Sequence, residues 1–114
     1  MELSELNYDE TLVLVGLMRV VIQADGQFSG AEREHVAIVS TALGMERFHQ
    51  AMLDATNQFP DNEHLKRATK AVTRPAARKA IHDVLVKIAA SDEVTPEEDK
   101  PLRWLESWWE LPRN

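Results

Sequence analysis

The chain has 114 residues, a formal net charge of −6 at pH 7 and no cysteine. A chain of this length buries roughly two-thirds of the surface its unfolded form exposes, enough for one core and a single domain over residues 1–114. The lack of cysteine excludes disulfides, thiolate ligands and a cysteine nucleophile, and the negative balance argues against nucleic acid, whose phosphates need an electropositive surface.

Met1-Glu2-Leu3-Ser4-Glu5 lacks the basic region of a secretory signal. The apolar run from Leu12 to Ile22 contains Arg19 and is shorter than the ~20 residues of a membrane span, so a cytoplasmic protein without membrane insertion is expected. From about Asp9 to Ala24, Leu14, Leu17, Met18 and Val21 have helical spacing, and Asp25-Gly26 supplies a glycine that can close this first helix. Ser29 and Glu32 form a capping-box pattern for a second helix with a buried stripe of Val36, Val39 and Leu43, ending at Gly44. A third helix is expected from about Glu46 to Asn57 and a fourth, capped by Asp61, to about Val72. The fifth begins near Thr73 or Arg74 with Pro75 in its first turn, buries Ile81, Leu85 and Ile88, and reaches Asp92. Thr95-Pro96-Glu97-Glu98 opens the sixth, with Thr95 as cap, Glu98 as the reciprocal acid, Leu102, Leu105 and Trp109 as the stripe, and Pro112 at the end.

The two halves align. Leu14, Met18, Val21 and Asp25 share their spacing with Ile81, Leu85, Ile88 and Asp92, and Glu32, Val36, Val39 and Leu43 match Glu98, Leu102, Leu105 and Trp109. The expected fold is all-α: a compact bundle of about six helices containing two pseudo-repeats of helix–acidic turn–helix, with the first, second, fifth and sixth helices at its centre.

Because steps of three and four residues stay on one helical face, Asp25 and Asp92 continue buried stripes, while Glu32 and Glu98 precede two others. Packed about a pseudo-twofold axis, the four acids converge. Converging carboxylates repel and lose hydration, which raises pKa values or recruits a cation; calcium, magnesium or manganese is the matching hard ion. In the competing interpretation all four acids are helix caps and turn residues. An EF-hand is excluded, because Val21 and Gln23 stand where its early acidic ligands belong.

On these residues the chain resembles the TerB-like family, a tellurite-resistance-associated helical domain, and is also similar to the N-terminal domain of a membrane-bound DnaJ-type co-chaperone. The matching segments are Ala24-Asp25-Gly26-Gln27-Phe28-Ser29-Gly30-Ala31-Glu32, then Ala42-Leu43-Gly44-Met45, and Ile88 through Glu98. The resemblance implies a helical fold, an acidic cluster for divalent metal at Asp25, Glu32, Asp92 and Glu98, and a stress-response or interaction role without catalysis. The sequence departs from the family pattern at Glu93, where glycine is expected, and in its shorter second turn.

Other features set the alternatives. Glu32-Arg33-Glu34-His35 and Glu46-Arg47-Phe48-His49 carry the Glu-x-x-His spacing of di-iron proteins, the one enzyme hypothesis, but lack two further glutamates midway along long facing helices. His64 and His82 have no evident partner, and no nucleophile elbow, phosphate loop or zinc motif is present. Lys66, Arg67, Lys70, Arg74, Arg78 and Lys79 form a basic stretch, and Asp92, Glu93, Glu97, Glu98 and Asp99 an acidic one, a separation that fits a solvated face or a protein contact. Trp104 and Trp108 form a ridge beside the sixth helix's buried stripe, packed against the first helix or N-terminal segment, or free to bind a partner protein or a second copy. The expectation is thus a non-enzymatic interaction module; the alternative is a structural or oligomerising bundle without metal.

Overall fold

A computed structural model describes residues 2–23, 30–90 and 96–110, apart from the side chains of residues 23, 31, 32, 90 and 96–99. A 3-10 turn at Leu3–Glu5 precedes six helices: α1 (Tyr8–Gln23), α2 (Gly30–Leu43), α3 (Met45–Gln58), α4 (Asn62–Thr69), α5 (Pro75–Ala90) and α6 (Pro96–Trp109). Among the described residues there is no strand, and no helix is long and apolar enough to cross a membrane. The expected all-α bundle is therefore what forms.

Helix α1 starts on an Asn-x-x-Glu capping box. Asn7 Oδ1 accepts from the Glu10 N–H at 2.9 Å and Glu10 Oε1 accepts from the Asn7 N–H at 2.8 Å, satisfying two donors that a helix start leaves unpaired. The helix is buried around nearly its whole circumference. Leu14, Leu17, Met18 and Val21 enter the main core, whereas Leu12 and Val15 pack against Ala51 and Ala55 of α3. The alanines let the two helix axes approach closely. A similar closeness occurs at Gly16, where an added Cβ would lie 2.9 Å from Leu65 Cδ1 and 3.1 Å from Phe59 Cδ2. The expected centre of first, second, fifth and sixth helices is thus corrected: α1 is the central helix, with α3 and α4 closing its other side.

The stripes read from spacing are the core. Ile81, Leu85 and Ile88 of α5, Leu102, Leu105 and Trp109 of α6, and Val39 and Leu43 of α2 are all buried, and Val36 is half-buried. Helix α1 packs on α5 and α6, and α5 packs on α2 and α6. The contacts of α1 with α6 and of α5 with α2 are reciprocal, as a pseudo-twofold between the two repeats requires. The radius of gyration, 12.8 Å, is close to the ~13 Å of a globule of this length.

Helix ends differ in detail from expectation. Gly44, at φ 95°, separates α2 from α3 in a backbone region that L side chains disfavour. Asp61 caps α4 as expected, accepting from the His64 N–H at 3.0 Å. Helix α4 stops at Thr69 rather than near Val72, because Lys70, Ala71 and Val72 bond to carbonyls three residues back and tighten the chain. Pro75 is the first residue of α5. Helix α6 ends at Trp109, before Pro112, with Glu110 at φ 55°. The expected caps Ser29 and Thr95, the Asp25-Gly26 stop and Pro112 lie outside the described residues.

Candidate functional site

Of the four acids assigned to a cation, Asp25 and Asp92 lie outside the described residues. Glu32 and Glu98 are each the third residue of their helices, α2 and α6, and their side chains lie outside the described set. Among the described residues no group of three or more His, Asp or Glu is positioned to hold a metal ion. This includes His35, Glu46 and His49 of the two Glu-x-x-His pairs: Glu46 and His49 are exposed on α3, while His35 lines a recess of about 240 Å³ against Asp83 and Lys87 of α5.

The buried charge that the structure does describe is Glu10, 1 % exposed. Arg74 donates to it from Nε at 2.8 Å and again from Nη2. The Arg74 hydrogen bonds, joined by the Asn7 N–H, hold the Glu10 carboxyl below its usual range against the opposing effect of burial. Arg74 also donates to the Glu5 carbonyl at 3.2 Å, and Arg47 donates to the carbonyls of Ser4 and Leu6 and to Thr11 Oγ1. Two arginines thus fasten the segment before α1 to the body of the protein. The cluster's hydrogen bonds run between the chain start, α1, α3 and the residue before α5, which gives it a structural role.

His82 and Glu106 make a second internal pair. His82 Nε2 lies 2.8 Å from Glu106 Oε2, the side chains are 8 % and 11 % exposed, and the contact joins α5 to α6. His64 Nδ1 is 2.7 Å from Asp61 within α4. Neither pairing was evident in the sequence. The Asp61–His64 spacing is a local signal, but nothing in helical periodicity indicates that residue 82 meets residue 106.

The arrangement that reaches the surface joins the basic stretch to the tryptophan ridge. Trp104 and Trp108, one helical turn apart on α6, stack with ring centroids 5.9 Å apart and planes inclined by 15°. Lys66 Nζ lies 5.4 Å above the Trp104 ring and Lys70 Nζ 5.6 Å above the Trp108 ring. Two pairs with four-residue spacing therefore run side by side, one of indoles and one of ammonium groups, each cation drawn to the negative face of a ring. Trp109, next in the chain, points the other way: it is buried, its Nε1 donates to the Thr69 carbonyl at 3.4 Å, and Arg78 covers its ring. The ridge thus lies beside α4, with Trp104 also packed against the main core. Trp104 is half-buried, while Trp108 remains 45 % exposed.

The basic stretch is divided in its tasks. Arg74 serves Glu10, and Arg78 donates to the Val72 carbonyl at 2.7 Å and packs on Trp109. Lys66 and Lys70 cover the indole pair, and Arg67 lies exposed beside them on α4. The four-residue spacings of Lys66 with Lys70 and of Trp104 with Trp108 were visible in the sequence; their meeting was not. Comparison with protein-family models, with curated proteins and with solved structures finds no match to this chain.

Proposed function

We propose that this chain is a non-enzymatic, TerB-like interaction module that docks a protein partner on the face shared by α4 and α6. The observation carrying this reading is the division among the three tryptophans: one fills the core, while Trp104 and Trp108 stack at the surface with 45 % of Trp108 exposed. Aromatic side chains that keep large area in water are favoured anchors of protein contacts. A cytoplasmic setting and a stress-response role, tellurite resistance included, belong to the same proposal through the family resemblance. A photo-crosslinking residue at exposed Ser107, in the full chain in its source cells, tests it. A discrete protein adduct is expected there and not from exposed Lys79 on α5; no adduct, or the same adducts from both positions, would refute the docking face.

A second reading adds a divalent cation at Asp25, Glu32, Asp92 and Glu98. The reciprocal packing of α1 on α6 and of α2 on α5 supports it, since ligation by both repeats depends on such a relation. A cation that binds only the folded state raises the unfolding temperature. Thermal unfolding after chelation, then with calcium, magnesium or manganese at fixed ionic strength, should show a rise of several degrees that Asp25→Asn with Asp92→Asn abolishes. No rise at millimolar ion leaves the four acids as helix caps.

A further inference from the structure

We infer that the α4–α6 face binds a short acidic segment of a partner protein, in which an apolar residue stands between two carboxylates. The inference rests on the reading of this chain as an interaction module and is independent of any cation. Three features of the face point to this chemistry.

First, the face is locally cationic on a chain of net charge −6. Lys66 and Arg67 of α4 and Lys70, just past its end, are exposed. Among the described residues Glu63 pairs with Lys66 at 3.8 Å across an exposed turn, where an ion pair is weak, and Glu106 Oε2 meets His82. Among the described residues Lys70 makes no ion pair. It covers Trp108 instead, and an ammonium over an indole still has N–H donors free for a carboxylate.

Second, the spacing fits. Lys66 in α4 and Lys70, the residue that caps its end in helical backbone, are four residues apart, about 6 Å along the helix direction. In an extended segment, alternate side chains on one side lie about 6.6 Å apart. Two acids at alternate positions therefore reach both lysines at once, and the residue between them projects to the other side. A segment lying along the seam of the two helices presents that middle residue to the exposed flank of Trp108, where an apolar side chain removes water from the ring.

Third, the geometry disfavours the other polyanion. Each indole already has a ring neighbour and an ammonium over its face, whereas nucleic-acid bases require open aromatic faces on which to stack. A nucleic-acid strand also carries a charge at every nucleotide and runs off this small patch onto a negative protein. A short acidic segment stays within the patch, where charges farther away than about 8 Å are screened.

The test titrates the full chain with a synthetic Glu-Leu-Glu peptide in a Gly/Ser context, following the three indole N–H resonances by NMR. Saturable shifts of Trp104 and Trp108, with Trp109 unmoved, are expected. Lys66→Glu with Lys70→Glu should weaken binding by about tenfold or more, and added salt should weaken it further. Both lysines are exposed, so an unchanged Trp109 resonance and helical circular dichroism would verify folding of the variant. Equal binding of a Lys-Leu-Lys peptide, equal binding of Glu-Ser-Glu, tighter binding of an oligothymidylate, or no effect of the double substitution would each overturn the inference. Shifts produced by protein concentration alone, and abolished by the double substitution, would assign the face to a second copy and overturn it as well. A Ser107 adduct in cells without peptide binding would leave the docking module standing and remove only this account of its partner.

Discussion

Arg74, the residue before α5, closes its guanidinium over the Glu10 carboxylate in the first turn of α1, tying the start of the chain to the helix that opens the second repeat. Glu10 is nearly inaccessible to water, so the pair protects a charge that the interior would otherwise penalise. Arg74→Ala leaves that carboxylate with the Asn7 N–H alone. A fall in Tm of about 5 °C or more at neutral pH is expected from this loss, measured by circular dichroism.

The same pair sets an acid dependence. Arg74 lowers the pKa of Glu10 in the folded state, so folding gains from its ionisation above the unfolded value, near pH 4.5, and loses that gain as pH falls through the depressed folded value. In Arg74→Ala only burial and the Asn7 bond remain, and burial opposes ionisation. Stability measured from about pH 3 to pH 7 should therefore fall more steeply on the acid side in the parent than in the variant. Parallel curves would mean that Glu10 is not the group responsible.

Spacing alone marks Leu14, Met18 and Val21 and, equivalently, Ile81, Leu85 and Ile88 as buried stripes, because large apolar residues at steps of three and four leave one solution for a helix. Helix α3 spans Met45–Gln58, within one residue of its expected bounds at each end, but that its small Ala51 and Ala55 meet Leu12 and Val15 of α1 is not written in its spacing. Lys70-Ala71-Val72 contains no helix breaker, so the end of α4 at Thr69 shows only in the hydrogen bonds that tighten the chain. For the α4–α6 face, periodicity identified each row of side chains but not the packing of one row against the other. That pairing depends on how α4 lies on the bundle, which no local pattern encodes.

Leu85→Ala should lower unfolding free energy by about 2–5 kcal/mol, the range for emptying a leucine site in a packed core. Leu85 is 1 % exposed and Leu53, on α3, is 57 % exposed, so Leu53→Ala should change stability by about 0.5 kcal/mol or less. Urea denaturation of both variants checks the assignment of core and surface. Equal effects would place the second repeat's stripe outside the core.

His82 and Glu106 should be energetically coupled. A double-mutant cycle with His82→Ala and Glu106→Ala should give an interaction energy of about 1 kcal/mol, typical of a buried side-chain hydrogen bond. Additive losses would show that the 2.8 Å contact does not help hold α5 to α6.

Adjacent tryptophans should respond in opposite ways. Trp109 is 4 % exposed, packs among Leu102, Leu105 and the α5 stripe, and donates to Thr69, so Trp109→Ala should lower stability by about 3–5 kcal/mol. Trp108→Ala removes one stacking contact and the ring beneath Lys70, contributions of about 1 kcal/mol together at an exposed position. It should fold with near-parental helicity while its binding to an acidic segment falls. Denaturation and peptide titration of the two variants separate the tasks of the residues: a Trp108 variant that fails to fold would make this indole part of the core, whereas a folded variant with parental affinity would leave the exposed ring without a role in binding.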